Sequence, residues 1–206
     1  MRQVPDTSPI VYIVDDDSMM LEILGTLIET IGARTISFNN AESFLQEYRQ
    51  GPCECIVSDM RMPGVSGLQL HKQLQNLYPF PPPLILVTGF AEVAAAVEAM
   101  KQGVFDFVEK PVNGHQFVEK VQAALNLSRE LHDKRMRRAT REARLALLTT
   151  KEKEILDAVL RGLSSREIAE QQTLSVRTVE NHRAHIMSKL RVKSAVELIR
   201  EFNNIL

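Results

Sequence analysis

Five short apolar runs alternate with amphipathic stretches over the first 125 residues, and this rhythm leaves few folds open. The runs are IVYIV (10–14), RTISF (34–38), CECIVSD (53–59), LILVT (84–88) and VFDFVEK (104–110). The stretches between them, SMMLEILGTLIETIG, AESFLQEYRQG, SGLQLHKQLQNL and AEVAAAVEAMKQG, carry helical periodicity, and a fifth helix starts near Gly114. Gly32 and Gly103 stand where two of these helices stop. Three prolines, Pro81 to Pro83, set an extended entry into the fourth run. Strand–helix alternation of this kind implies an α/β fold, a parallel sheet covered by helices on both faces. Near-unbroken apolar runs fit strands buried on both sides.

The pattern changes beyond residue 125. NLSRELHDKRMRRATREARLALL (126–148) is highly charged, helix-prone and free of Gly and Pro. It reads as a solvated helical linker, with a weak heptad at Met136, Ala139, Ala143 and Leu147 as the alternative, a dimerising coil. The rest is helical throughout. Thr149 or Thr150 can cap a helix whose apolar face holds Ile155, Leu156, Val159 and Leu160, ended by Gly162. Ser164 and Glu167 form an S-x-x-E capping box for a short helix. Ser175 caps a longer one over Val176 to Leu190, and a last helix begins near Ser194.

Charge divides along the same line. Residues 1–125 carry 8 Lys+Arg and 15 Asp+Glu, a net −7, whereas residues 126–206 carry 17 and 11, a net +6. The acidic part suits a cation and the basic part a polyanion. No apolar stretch approaches the roughly 20 residues that span a bilayer, and the opening MRQVPDTSP has no apolar signal core, so a cytoplasmic protein is expected. The cysteines, Cys53 and Cys55, lie two apart on one face of a strand and lack the further ligands of a zinc site. They read as two reduced thiols.

In an open parallel sheet, ligands bind beyond the carboxyl ends of the strands. Four strand ends here carry reactive groups. The first ends in Asp15, Asp16 and Asp17, the third in Asp59, the fourth in Thr88 and the fifth in Lys110. Three adjacent carboxylates repel one another, and packing alone gives no reason for them. A hard cation such as Mg2+, which binds one or two carboxylates and keeps several waters, offsets that repulsion. It also neutralises an incoming phosphoryl group. A neighbouring carboxylate can then be the nucleophile, and a hydroxyl and an ammonium can hold the phosphoryl oxygens. Thr88 and Lys110 are of those types.

The segments IVDDDS, SDMRMPGVSG, LVTG and FVEKP occur in the order and spacing of the receiver domain of two-component response regulators, which residues 10–125 resemble. The resemblance implies a flavodoxin-like (βα)5 fold with Asp59 as phosphoacceptor. It further implies Mg2+ held by Asp15, Asp16, Asp59 and the Arg61 carbonyl, with Thr88 and Lys110 on the phosphoryl group. Phe107 takes the place of the family's switch aromatic, and Phe90 stands where relatives with this kind of second domain often have His. A rival likeness is to phosphatases of the haloacid dehalogenase type, with Asp15 as nucleophile of Asp15-x-Asp17, then Thr88 and Lys110. That family needs an acidic pair after the lysine strand, and the first carboxylate after Lys110 is Glu119, in a helix pattern. The rival also leaves Asp59 unexplained.

LTTKEKEIL, GLSSREIA, VRTVENHRAHIMSKL and KSAVELIR resemble the LuxR/NarL-type helix-turn-helix, so that nearly the whole chain is similar to a FixJ-type regulator. In VRTVENHRAHIMSKL, Val179, Ile186 and Leu190 form a core-facing stripe, and Arg177, Thr178, Glu180, Asn181, His182, Arg183 and His185 crowd the remaining faces. A helix polar and partly basic in its first turns suits a major groove. Arg177 and Arg183 are of a type to hold phosphates, Asn181 to pair with adenine and Glu180 to accept from cytosine. Ala184 can meet a thymine methyl, and Lys189 adds a further cation. His182 and His185, three apart, fit phosphate approach or packing better than a metal.

The implied organisation is a receiver over 9–126, a helical linker over 127–146 and a DNA-binding domain over 147–206. The implied function is transcription regulation switched by phosphorylation of Asp59. The partners are a sensor histidine kinase, double-stranded promoter DNA and, on phosphorylation, a second copy. The chain is then no enzyme beyond catalysing its own phosphoryl transfer and slow dephosphorylation. A receiver acting only as a protein-interaction switch is the remaining alternative.

Overall fold

The computed structural model describes residues 8–89 and 93–202. Phe90 and the N-terminal segment before Ser8 lie outside the described residues. The chain divides into two compact units, Met1–Arg135 and Met136–Leu206.

The first unit is built on five strands, β1 (Ile10–Val14), β2 (Arg34–Phe38), β3 (Glu54–Asp59), β4 (Leu84–Thr88) and β5 (Asp106–Glu109). They pair in parallel in the order β2-β1-β3-β4-β5. The helices between them are α1 (Ser18–Glu29), α2 (Ala41–Glu47), α3 (Gly67–Leu77) and α4 (Val93–Lys101), and α5 (Gly114–Ala146) follows β5. This is the flavodoxin-like doubly wound order.

Alternation along each strand produces two cores, because successive side chains point to opposite faces. Val11, Ile13, Cys55, Val57, Ile85 and Val87 face Leu24 and Ile28 of α1 and Phe117 and Val121 of α5. Tyr12, Val14, Ile56, Leu84 and Leu86 face Phe44 of α2, Leu70 and Leu74 of α3 and Ala99 of α4. All six residues of β3 are buried, as a central strand covered on both sides requires. Cys53 and Cys55 are both buried in the first core as free thiols, and burial raises the pKa of each.

The segment expected to be a helical linker is helical and continues α5 without a break, since nothing between residues 126 and 146 interrupts a helix. Within the first unit, Ser128 of α5 accepts the Glu54 backbone N–H at 2.8 Å, and Arg135 donates to the Gly51 carbonyl at 2.8 Å.

The second unit holds α6 (Thr150–Leu160), α7 (Ser165–Gln172), α8 (Val176–Leu190) and α9 (Ala195–Phe202). Their starts are fixed by side-chain caps. Thr149 with Glu152, and Ser164 with Glu167, each form a complete capping box, and Ser175 caps α8. Ser194 accepts from the Glu197 N–H at the start of α9. Ile155, Leu156, Ile168, Val179, Ile186, Leu190, Leu198 and Phe202 form one core, so every helix of the unit contributes to it.

Candidate functional site

The carboxyl ends of β1, β3 and β5 bring their charged groups together. Lys110, the residue after β5, places Nζ 2.6 Å from Asp59 Oδ1 and 3.4 Å from Asp15 Oδ2. One ammonium thus bridges carboxylates from β1 and β3 that are 44 residues apart in sequence. Burial tends to lower the Lys110 pKa, but its hydrogen bond to Asp59 and the Asp15 and Asp59 charges outweigh this and raise it. Asp15 is almost wholly buried. Burial raises its pKa, opposed by the Asp17 N–H and by Lys110.

The three consecutive carboxylates have three separate places. Asp15 faces inward and accepts the Asp17 N–H at 2.9 Å. Asp16 is exposed at the rim. Asp17 is the N-cap of α1, its side chain accepting from the Met19 N–H at 2.9 Å. The other Asp59 oxygen, Oδ2, accepts the Arg61 N–H at 2.7 Å, which fixes the loop that carries the Arg61 carbonyl. Thr88 is buried at the end of β4, and its carbonyl accepts the Lys110 N–H at 2.8 Å, which ties the β4 and β5 ends together. Phe107 is half-buried against the second core, with Lys120 Nζ 5.7 Å from its ring centre.

Gly67, at the start of α3, had no role in the sequence reading. A Cβ there would overlap the Asp59 carbonyl, Leu86 and Ser58. Only a bare Cα lets α3 begin this close to the end of β3, and the last glycine in SDMRMPGVSG is its sequence signal.

Among the described residues, no three His, Cys, Asp or Glu side chains cluster as a metal cage. Mg2+ does not require one, since it binds through one or two carboxylates and retains water. The Asp15 and Asp59 carboxylates, brought together at Lys110, supply two oxygen ligands of that kind.

In the second unit, α8 buries Val179, Ile186 and Leu190. Arg177, Glu180, Asn181, Ala184 and His185 are exposed, and Thr178 and His182 are half-buried. The exposed stripe continues through Ser188 to Arg191, beyond the residues read from sequence. Two of the residues expected to meet DNA also make contacts within the unit. Arg183 is half-buried and borders a small cavity with Leu156, Val159, Ile186 and Leu198, so its stem also covers the core. Lys189 donates to buried Glu152 at 2.7 Å and thereby pins α8 to α6. Glu152 is held at a pKa of about 2 by the Lys189 hydrogen bond and by the Thr149 N–H.

A rim of carboxylates and a lysine on a doubly wound sheet, followed by a helical unit with a polar exposed helix, is the arrangement of a receiver joined to an effector domain. The chain belongs to the response regulators that couple a receiver domain to a LuxR-family regulatory domain: the response regulator receiver domain matches residues 11–122, and the luxR family of bacterial regulatory proteins matches residues 146–202. It is 33% identical to the response regulator protein TodT of Pseudomonas putida over 200 residues, covering 97% of this chain and 88% of that one. It is 37% identical to the transcriptional regulatory protein FixJ of Azorhizobium caulinodans over 197 residues, covering 96% and 92%. The solved structure of the response regulator StyR is similar with a TM-score of 0.78 at 32% identity, covering 94% of this chain and 98% of that one. The chain is accordingly a DNA-binding transcription regulator of the two-component type. The receiver match over residues 11–122 favours this reading over the phosphatase alternative, and the luxR-family match over 146–202 favours it over the interaction-only one.

Proposed function

We propose that Asp59 accepts the phosphoryl group of a sensor histidine kinase, and that this acylphosphate controls binding of α8 to promoter DNA. The observation that carries the reading is the Lys110 ammonium shared by Asp59 and Asp15 at the strand ends. In the transfer, an Asp59 carboxylate oxygen forms a bond to phosphorus. The P–N bond to the donor imidazole breaks, and its electron pair stays on the imidazole nitrogen. Lys110 and the Thr88 hydroxyl hold the phosphoryl oxygens as charge builds on them. Asp15, Asp16, Asp59 and the Arg61 carbonyl would hold Mg2+, which would supply charge neutralisation on the phosphoryl group. The receiver's own residues carry the transfer, and slow hydrolysis resets it. Phe107, lacking a hydroxyl, contributes to switching through packing alone.

The receiver extends over 9–126 and the DNA-binding domain over 147–206, joined by the helical segment 127–146. Phosphorylation shifts an existing equilibrium toward a homodimer competent for paired half-sites. In the DNA-binding domain, α8 enters the major groove. Arg177, His182 and Arg183 approach phosphates, with Thr178 as a lesser contact. Glu180, Asn181 and Ala184 face bases. Lys189 acts by fixing α8 rather than by touching DNA. No helix of the described residues is long and apolar enough to cross a membrane, in keeping with action in the cytoplasm.

The test uses Mg2+ with acetyl phosphate or a phosphoramidate. The wild type gains one phosphoryl group, and Asp59→Asn gains none; labelling that persists and maps to Asp15 would overturn the assignment. On DNA, Asn181→Ala relaxes preference at one base pair at a cost of roughly 1–3 kcal/mol. Arg177→Ala instead weakens binding to all sequences alike.

A further inference from the structure

Three arginines share one face of the last turns of α5. Arg137, Arg141 and Arg144 are spaced four and then three apart, which stacks them on successive turns. Like charges at these spacings destabilise a helix. Elsewhere in the same unit the usual remedy is present: Arg138, Arg161 and Arg166 each pair with a carboxylate four residues away, Glu142, Asp157 and Glu170. Among the described residues, Arg137 and Arg141 form no ion pair, and neither does Arg200 of α9. Nothing in local helix chemistry offsets this repulsion.

The same side chains line one groove. Arg137, Arg141 and Arg144 of α5, with Arg200 and Glu201 of α9, border an open space of about 500 Å3, wholly within the second unit. Thr140 adds a hydroxyl to the lining. Four guanidinium groups therefore face one carboxylate. That carboxylate does not quench them, since Glu201 Oε2 lies 3.4 Å from Arg144 Nη1 alone. Arg144 Nη1 also donates to the Leu190 carbonyl at 3.3 Å. Both contacts use Nη1, so they fix the guanidinium and leave Nη2 and Nε for a ligand.

The volume is that of a small-molecule site, which commonly spans roughly 300–1,000 Å3. The charge excess calls for an anion with three or more charges, more than one carboxylate or one orthophosphate brings. Linked phosphates bring it, and the planar Arg fork matches their oxygens bidentately. A concave space of this size favours a free anion over the convex backbone of a duplex.

We propose that this groove binds small anions carrying linked phosphates, inorganic polyphosphate or a nucleoside triphosphate, through Arg137, Arg141, Arg144 and Arg200. The proposal depends neither on Asp59 nor on the way α8 meets DNA.

The experiment is calorimetric titration of the full chain with inorganic tripolyphosphate, without Mg2+ and at about 0.15 M salt, where long-range charge effects are screened. The wild type binds one tripolyphosphate, more than tenfold tighter than orthophosphate. Arg137→Ala and Arg200→Ala each weaken it about tenfold or more, the share of one charge-assisted hydrogen bond. Both side chains are exposed and unpaired, so the melting temperature stays at the wild-type value. Arg138→Ala removes the same charge from outside the groove and leaves the affinity unchanged, whereas Glu201→Gln raises it. Adenosine and guanosine triphosphates distinguish the source: tighter binding than tripolyphosphate marks a nucleotide site, and equal binding a polyphosphate site. Absence of tripolyphosphate binding, or equal losses in Arg137→Ala and Arg138→Ala, overturns the proposal. So does a groove whose variants weaken duplex binding while tripolyphosphate fails to bind, which would make it a DNA surface.

Discussion

Lys110 Nζ lies 2.6 Å from Asp59 Oδ1, so the carboxylate proposed to accept the phosphoryl group is already paired with the cation that would meet it. Lys110→Ala removes the charge shared by Asp59 and Asp15. The rate of phosphorylation by acetyl phosphate should fall by about 10²-fold, the size typical of deleting one preorganised donor. Intact-mass measurement against time checks this, with the DNA-binding unit as an internal control whose melting should not move.

Asp16 is the exposed member of the three carboxylates. Asp16→Ala should leave the melting temperature close to wild type and raise the Mg2+ concentration needed for half-maximal phosphorylation. A Mg2+ titration of the labelling rate gives the answer, and an unshifted midpoint counts against Asp16 as a metal-site residue.

Gly67 meets Asp59, Ser58 and Leu86 so closely that a methyl group has no room. Gly67→Ala should cost about 1–3 kcal/mol, the usual range for overpacking a filled interior. Phosphorylation should slow as well, because the displaced neighbour is the Asp59 backbone. Urea unfolding and the labelling rate are the two readouts, and both should change.

Glu152 ties acid sensitivity to the DNA-binding unit. Its carboxyl ordinarily titrates near 4.5 and is held at about 2 by Lys189 and Thr149. A carboxyl lowered on folding stabilises the native state above its unfolded pKa, and that stability is lost as pH falls through the folded value. The unit should therefore weaken between about pH 4.5 and pH 2. Lys189→Met should lower its melting temperature at pH 7 and shrink the loss on acidification. Parallel acid slopes for variant and wild type would show that the pair does not govern this range.

The sheet was legible because each strand is a β-branched run bounded by turn residues, and the rim because charged groups interrupt apolar runs only at strand ends. The helix starts at Ser164 and Ser175 were equally legible, since capping is a local matter of one side chain and the next turn. What could not be read was pairing across helices. The sequence does not show that Lys189 partners Glu152 from α6, or that Arg183 also borders Leu156 and Val159. Nothing adjacent in the chain announces either. The left-handed turns at Thr173 and Arg191 were hidden for a related reason, because a positive φ is signalled in sequence by glycine or asparagine, and neither is present.

The buried thiols give the receiver an internal clock. Cys53 and Cys55 sit in the core between β3 and the helices α1 and α5, where burial holds them protonated and out of reach. An alkylating reagent can modify them only during excursions in which that core comes apart, so the speed of modification counts those excursions. Each molecule thus carries, without any added label, a chemical record of how often β3 and its flanking helices part, and comparing that record before and after treatment with acetyl phosphate would measure whether the treatment changes it.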